Sequence, residues 1–241
     1  MQRLRLYRAP MTADEPAGLV DPDPAWKVVD SYIAGHLLGE DAVLAATLAA
    51  NAAAGLPDID VSPAQGQMLH LYARMTGARQ ILEIGTLGGY STICLARALP
   101  ANGTLVTLEL EPQHAEVARA NIAAAGVEAK VEVRIGAAVD TLTAMIAAGE
   151  GPFDLIFIDA DKPSNTAYLH ASLALSRPGT TIIVDNVVRE GGVLDAESDD
   201  PRIIGTRALF AAVAAEPRLT ATAVQTVGAK KWDGFLLAVV Q

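Results

Sequence analysis

Residues 80–91 read QILEIGTLGGYS and contain the transition that decides the fold. The short apolar run 80–84 predicts a buried strand, and Gly85 ends it. Gly88 and Gly89 lead into 90–99, where the residue pattern predicts a helix. Glycines in such a turn let a ligand approach the backbone, because no Cβ stands in the way. The free N–H groups at the start of the helix favour anionic groups. This stretch therefore predicts a strand–turn–helix unit with a ligand at its turn.

The alternation of strand and helix continues toward the C-terminus. Further strands are predicted at 104–109, 131–135, 153–159 and 181–185, with helices at 112–125, 140–148, 166–175 and 204–215. Such alternation predicts a mostly parallel sheet with helices on both faces, because each right-handed crossover adds a parallel strand. Two last strands, 220–227 and 233–240, are close enough in sequence to pair as an antiparallel hairpin. The predicted fold class is α/β with seven strands.

The N-terminal region has a different organisation. Residues 1–25 hold four prolines and little apolar periodicity, which predicts an extended arm. Helices are predicted at 26–38 and 41–53, and a third begins at Ser62, whose sequence Ser-Pro-Ala-Gln forms a capping box. We therefore expect a single domain over 26–241, with extra helices before the first strand.

Composition limits the class of protein. The chain has 241 residues, of which 51% are hydrophobic and 19% charged, and this is too apolar for a disordered chain. The net charge of −10 disfavours wide contact with nucleic acid. Cys94 is the single cysteine, so neither an internal disulfide nor a thiolate zinc cluster can form. We find no signal peptide and no membrane-spanning run, and we expect a cytoplasmic protein with no membrane partner.

Two glutamates suggest what the predicted turn binds. Glu83 lies just inside the end of the first strand, where a carboxylate suits a ligand with a positive amine. Glu109 ends the second strand, and an acidic residue there can accept hydrogen bonds from both hydroxyls of a ribose. This position alone fits both NAD and S-adenosylmethionine (SAM). The dinucleotide pattern G-x-G-x-x-G is absent, because Thr86 and Leu87 separate Gly85 from Gly88.

The fourth and fifth strands carry the most specific signal. Asp159 follows one apolar strand, while Asp185 and Asn186 follow the next. If these strands are neighbours, two carboxylates and an amide oxygen converge. Such hard oxygen donors suit Mg²⁺ best, with Mn²⁺ or Ca²⁺ as alternatives, whereas Zn²⁺ prefers histidine or thiolate. Lys162 lies nearby, and a lysine beside a bound cation can serve as a general base.

These residues resemble the cation-dependent class I SAM O-methyltransferases, the family of catechol and caffeoyl-CoA O-methyltransferases. The resemblance covers roughly 26–241 and is carried by LEIGT at 82–86, GYS at 89–91, FDLIFIDADK at 153–162, VDNV at 184–187 and DGF at 233–235. It implies a Rossmann-like fold and divalent-metal-dependent methyl transfer from SAM to a hydroxyl of a small ortho-dihydroxy aromatic acceptor. The family is commonly dimeric, which implies a homodimer.

The resemblance also implies a role for each matching residue. Asp159, Asp185 and Asn186 would bind the metal ion, and Lys162 would be the catalytic base. The residues implied to bind SAM are Val61, Glu83, Gly85, Thr86, Ser91, Glu109, Ala138 and Asp161. The arm at 1–25 and the loop at 187–200 have no family pattern, and we expect them to shape the acceptor pocket.

Three other functions stay open at this point. A tRNA hydroxyuridine methyltransferase of the same family is one alternative, although only Lys230, Lys231 and the N-terminal arginines offer a basic patch. An NAD-dependent dehydrogenase is another, weakened by the absent dinucleotide pattern. A module that binds SAM without turnover is the third.

Overall fold

The computed structural model describes residues 22–241. Helix α1 spans Pro22–Leu37 and so begins inside the segment predicted as an arm, while residues 1–21 of that predicted arm lie outside the described residues. Several apolar side chains of α1 are exposed, among them Val28, Tyr32 and Leu37. The homodimer stays a prediction.

Helices and strands alternate along the described chain as the sequence predicts. The other helices are α2 (Ala42–Ala53), α3 (Pro63–Met75), α4 (Tyr90–Ala98), α5 (Pro112–Ala124), α6 (Ala138–Ala147), α7 (Asn165–Ala174) and α8 (Pro201–Ala215). The strands are β1 (Gln80–Ile84), β2 (Thr104–Glu109), β3 (Val131–Ile135), β4 (Leu155–Ile158), β5 (Thr181–Asp185), β6 (Leu219–Gly228) and β7 (Lys231–Val240). None of the helices in residues 22–241 is long and apolar enough to cross a membrane.

The seven strands form one sheet in the order β3-β2-β1-β4-β5-β7-β6. The five strands from β3 to β5 are parallel, and β7 joins β5 and β6 in antiparallel pairing. The predicted α/β fold with a C-terminal antiparallel hairpin is confirmed. The chain reverses its direction of strand addition between β1 and β4, and parallel sheets bind ligands at the carboxyl ends of the strands beside such a point.

Some predicted boundaries were wrong for identifiable reasons. Strand β4 begins at Leu155 rather than 153, because the Asp154 carboxylate instead accepts hydrogen bonds from the backbone N–H groups of Arg79 and Gln80. Helix α8 begins at Pro201 rather than 204, since the Asp200 side chain caps its first turn. The hairpin turn holds only residues 229–230, so β6 and β7 are longer than predicted.

Hydrophobic packing covers both faces of the sheet. Ile81 faces helices α3 and α4 on one side, and Leu82 faces α6 and α7 on the other; both are completely buried. Because side chains alternate along a strand, Glu83 shares the face of Ile81 and lies under α4. Cys94 is buried on that same face, as a small apolar residue is expected to be.

A chain of buried amides fixes the glycine turn against the N-terminal helices. The Asn51 amide on α2 donates to the Asp60 carboxylate, at 3.0 and 3.2 Å. Asn121 on α5 donates to the Asn51 side-chain oxygen at 3.0 Å and to the Gly88 carbonyl at 2.9 Å. A Cβ on Gly88 would lie 1.8 Å from the Asn51 side-chain oxygen, so glycine is required there. The position of the turn therefore depends on Asn51.

We expect Asn51→Ala to lower the free energy of unfolding by more than packing loss alone. Asn165→Ala is the matched control, because Asn165 is also a buried asparagine and its side chain has no hydrogen-bond partner within residues 22–241. Asn51→Ala should be the more costly of the two by about 1–3 kcal/mol, the penalty for leaving buried polar groups unsatisfied. Urea unfolding of both variants measures the difference. Equal losses would show that the amide chain does not stabilise the turn.

Candidate active site

A cavity with a volume of about 700 Å³ opens at the carboxyl ends of β1, β2 and β4. The glycine turn forms its floor. Gly85 adopts φ = 100°, and a Cβ there would lie 2.0 Å from the Asp159 carbonyl oxygen. Only glycine allows this approach of β1 to β4. The turn thus presents backbone to the cavity, as the sequence predicts.

Glu83 lies below this floor and does not line the cavity. It is completely buried, and its carboxylate accepts hydrogen bonds from Ser91 at 2.6 Å, from Thr107 at 2.7 Å and from Thr92. Burial raises the pKa of Glu83 to about 7, despite these three hydroxyl donors. Ser91, which does line the cavity, connects Glu83 to it. Glu83 can therefore affect a bound amine only through its hydrogen bond with Ser91, or after a local movement that exposes its carboxylate to the cavity.

Glu109 lines the cavity and also holds the turn. One carboxylate oxygen accepts from the backbone N–H groups of Thr86 and Leu87, at 3.1 and 2.8 Å. The other accepts from the N–H of Glu111 at 3.0 Å and lies 3.5 Å from His114 Nδ1. A carboxylate has about four acceptor positions, so capacity for a further hydroxyl remains. The sequence predicted the ligand role and missed the structural one.

The other predicted cofactor residues surround the same cavity. They are Val61, Gly85, Thr86, Ser91, Ala138 and Asp161. Asp161 also accepts hydrogen bonds from the Ser164 N–H, at 3.2 Å, and from the Tyr168 hydroxyl. Burial acts to raise the pKa of Asp161, but the hydrogen bonds from Ser164 and Tyr168 outweigh it and lower that pKa. Asp161 is therefore an ionised carboxylate at the cavity wall.

The predicted metal ligands come from adjacent strands. Strands β4 and β5 pair directly. Asp159 directly follows β4, and Asp185 is the last residue of β5. Asp185 is buried, and burial, together with the charge of Asp159, raises its pKa. Asn186 follows with φ = 57°, a left-handed conformation that asparagine tolerates. In residues 22–241 no group of three His, Cys, Asp or Glu side chains is arranged to hold a metal ion, so the set depends on the Asn186 amide as its third donor.

Lys162 is fixed at the same place. Its Nζ donates to Asp159 Oδ1 at 2.9 Å, and the side chain is buried. The backbone of Lys162 is held by α8, because Gly205 approaches so closely that a Cβ there would lie 2.2 Å from the Lys162 carbonyl oxygen. The lysine therefore extends from a rigid turn toward the paired carboxylates.

A second cavity of about 440 Å³ adjoins the first on the side of β5 and β7. Asp185 lines only this smaller cavity of the two, Asp159 lines only the larger, and Asn186 lines both. Arg189 and Arg202 also line both cavities, while Trp232 lines the smaller one. Oxygen donors and Lys162 thus lie at the boundary between two adjacent spaces.

Several residues at these cavities were not singled out from the sequence. They are His114, Tyr168, Arg189, Arg202 and Trp232. No motif marks them, because each reaches the site through tertiary packing of a loop, a helix or the hairpin. Part of the loop expected to shape the acceptor pocket, 187–200, does line the smaller cavity, through Arg189, Glu190 and Asp200.

Comparison with known proteins identifies the family. The profile of the O-methyltransferase family matches residues 37–239. The chain belongs to that family. It is 52% identical over 222 residues to a catechol O-methyltransferase of Mycobacterium tuberculosis, covering 92% of this chain and 99% of the relative. It is 51% identical over 213 residues to one of Niastella koreensis, covering 88% of this chain and 96% of the relative.

A solved O-methyltransferase structure from Bacillus cereus, in complex with SAH, has a TM-score of 0.89 and 54% sequence identity. The match covers 90% of this chain and 99% of that one. The predicted family and the predicted enzyme class, a SAM-dependent O-methyltransferase, are confirmed. An NAD-dependent dehydrogenase is thereby excluded.

The buried Glu83 predicts a measurable pH dependence of stability. Its pKa of about 7 in the fold exceeds the ordinary value of 4.5. At a pH between these two values, the folded protein therefore keeps a proton on Glu83 that the unfolded chain has lost. The Glu83 contribution therefore destabilises the fold progressively as the pH rises from about 4.5 to about 7. Glu83→Gln removes this titration, and the loss of stability between pH 5 and pH 8 should shrink by up to about 3 kcal/mol.

Denaturant unfolding without cofactor at a series of pH values measures this difference. Glu116→Gln, at an exposed position on α5, is the control and should keep the wild-type profile. Parallel stability curves for wild type and Glu83→Gln would contradict the assignment.

Proposed function

We propose that this O-methyltransferase transfers the methyl group of SAM to one hydroxyl of a small ortho-dihydroxy aromatic acceptor, in a reaction that depends on a divalent cation. The observation that carries the proposal is the position of Asp159, Asp185, Asn186 and Lys162 at the boundary of two adjacent cavities. One cavity suits the cofactor and the other suits the acceptor. The names of the catechol O-methyltransferase relatives support the acceptor class.

The larger cavity has the features that SAM requires. Its floor is backbone at Gly85 and Thr86, and Glu109 offers acceptor capacity to a ribose. The wall at Ala138 is apolar and suits the face of an adenine ring. Ionised Asp161 adds a negative charge to the wall of this cavity, which suits the positive charge of SAM. The SAH complex of the Bacillus cereus relative supports the same use of this cavity.

The residues at the boundary fit a divalent cation. Asp159 and Asp185 bring two carboxylates together, and Asp185 is only 4% exposed. Against these two carboxylates Lys162, which pairs with Asp159, supplies a single positive charge. Oxygen donors of this type suit Mg²⁺ or Mn²⁺. When bound, such an ion acts as a Lewis acid that acidifies the acceptor hydroxyl.

The chain's own groups account for the remaining chemistry. Lys162 Nζ, held at Asp159, lies where it can take the proton of the acceptor hydroxyl when the amine is neutral. The acceptor oxygen then attacks the methyl carbon, and the carbon–sulfur bond breaks as the carbon–oxygen bond forms. The adjacent cavities hold both reactants in place, and positioning of this kind supplies roughly 7–11 kcal/mol in favourable cases.

Transfer RNA is the less favoured acceptor. The two adjacent lysines that could contact a phosphate backbone are already paired, Lys230 with Asp58 at 3.1 Å and Lys231 with Glu190 at 3.4 Å. With a net charge of −10, the chain would repel a polyanion over a wide contact.

Metal dependence can be tested at Asp185, because this residue does not line the larger cavity. We expect EDTA to abolish wild-type turnover of catechol and Mg²⁺ to restore it. Asp185→Asn should lower turnover at least about 100-fold through loss of a charged ligand, while SAH affinity measured by calorimetry changes little. Asp154→Asn, at the opposite end of β4, is the control and should keep EDTA-sensitive turnover. Turnover that is insensitive to EDTA would contradict the metal role.

The role of Lys162 predicts a rate effect that varies with pH. Lys162→Ala should lower kcat by about 10²–10⁴-fold at pH 7, the usual range for loss of a general base. The deficit should be smaller at pH 9, because hydroxide then removes the acceptor proton. SAH affinity separates this effect from damage to the cofactor cavity. A deficit that is the same at both pH values would argue for a positioning role instead.

A further inference from the structure

Arg189 occupies an unusual place between the two cavities. It lines both of them, next to Asn186, and lies in the loop for which the sequence offered no family pattern. Its backbone adopts φ = 58°, and the following Glu190 adopts φ = 54°. Two successive non-glycine residues in the left-handed region are uncommon, and such strain persists only where the surroundings enforce it.

The surroundings of Arg189 do enforce this conformation. Asp233 on β7 accepts hydrogen bonds from the backbone N–H groups of Val188 and Arg189, both at 3.0 Å. The Glu190 N–H donates to the Trp232 carbonyl at 3.0 Å. Gly191 packs so tightly on the Trp232 ring that a Cβ there would lie 3.0 Å from it. The loop is thus fastened to the hairpin, and these contacts fix the backbone from which the Arg189 side chain reaches both cavities.

The Arg189 guanidinium has no partner in the described part of the chain. Within residues 22–241 it makes neither an ion pair nor a hydrogen bond, and its Nε is buried without a partner. Arg202, the other arginine at both cavities, differs, because Asp200 binds its guanidinium through both carboxylate oxygens. A buried guanidinium N–H without an acceptor is costly, so a ligand that supplies acceptor oxygens would be favoured there.

The smaller cavity offers an anion no comparable position. Carboxylates dominate its lining, from Asp58, Asp60, Asp185, Glu190, Asp200 and Asp233. Its lysine, Lys230, is paired with Asp58. An acceptor that carries a negative group is repelled by these carboxylates unless the group reaches Arg189. The charge pattern therefore restricts a negative group of the acceptor to the position of Arg189.

We propose that Arg189 binds an anionic oxygen group of the methyl acceptor, so that the preferred acceptors are ortho-dihydroxy aromatics with a carboxylate on their side chain. This inference rests on the proposed function and specifies its acceptor. A planar carboxylate can accept two parallel hydrogen bonds from a guanidinium, which fixes the orientation of the ring at the metal set. The phosphates of an acyl-CoA ester carry the same oxygen chemistry, and the test below separates the two sources.

The test compares caffeate with its amide, which matches it in shape and lacks the charge, and with caffeoyl-CoA. For wild type we expect a higher kcat/KM with caffeate than with caffeamide. Arg189→Gln should lower kcat/KM for caffeate about 10- to 100-fold, the range for a lost charge-assisted hydrogen bond, and for caffeamide less than about threefold. Arg189→Lys should recover part of the loss. Arg218→Gln is the control for net charge, because Arg218 is paired with Glu216 away from both cavities.

Equal losses with the acid and the amide would overturn the proposal, because they would assign Arg189 a structural role. If Arg189→Gln lowers kcat/KM only for caffeoyl-CoA, the proposed contact with a side-chain carboxylate is overturned, and Arg189 binds the phosphates of the ester instead. Binding measured through tryptophan fluorescence, to which Trp232 in the smaller cavity contributes, keeps this test separate from methyl transfer. Caffeate binding that depends on Arg189 without turnover would support this inference and contradict the proposed function. Equal binding of the acid and the amide would overturn the inference whether or not turnover occurs.

Discussion

At Gly85 the backbone of the first strand comes within contact distance of the Asp159 carbonyl, so closely that a Cβ would lie 2.0 Å from that oxygen. This approach joins the turn beneath the larger cavity to the strand end that carries the first carboxylate of the predicted metal set. Hydrophobic burial on both faces of β1 and β4 holds the two strands together. The relative position of the two cavities depends on this contact, since a side chain at Gly85 would separate the turn from Asp159.

Buried charge is the second constraint on the site. Glu83 belongs to β1 and Asp185 ends β5, both otherwise mainly apolar strands, and burial raises the pKa of each. The fold compensates them differently. Three hydroxyl groups satisfy Glu83 within the protein, whereas Asp185 faces another carboxylate. The first arrangement is complete without a ligand, and the second leaves negative charge that a cation would neutralise. Glu83 therefore contributes mainly to the shape of the cavity floor, and Asp185 belongs to the reactive boundary.

Local patterns predicted the fold well because the strands of a parallel sheet are continuous apolar runs bounded by glycine or acidic residues. The placement of Asp159 beside Asp185 followed from the assumption that β4 and β5 are neighbours, which the sheet order bears out. The part that Glu109 plays in holding the turn could not be predicted, because the N–H groups it accepts from belong to a turn more than twenty residues earlier. Arg189 was missed for a similar reason. Its position depends on Asp233 and Trp232 on the last strand, and no local pattern encodes that contact.

The loop after β5 shows how one scaffold can keep its chemistry and change its acceptor. Asn186, at the start of the loop, belongs to the oxygen set, and Arg189, three positions later, reaches both cavities. The hairpin fixes this segment through backbone N–H groups and carbonyls, so one unbranched side chain can replace another at 189 without loss of these contacts. A different side chain there would alter the charge presented to the acceptor while the carboxylates and Lys162 remain in place. Acceptor selectivity can thus change without loss of methyl transfer, because different side chains at the boundary of the two cavities determine these two properties.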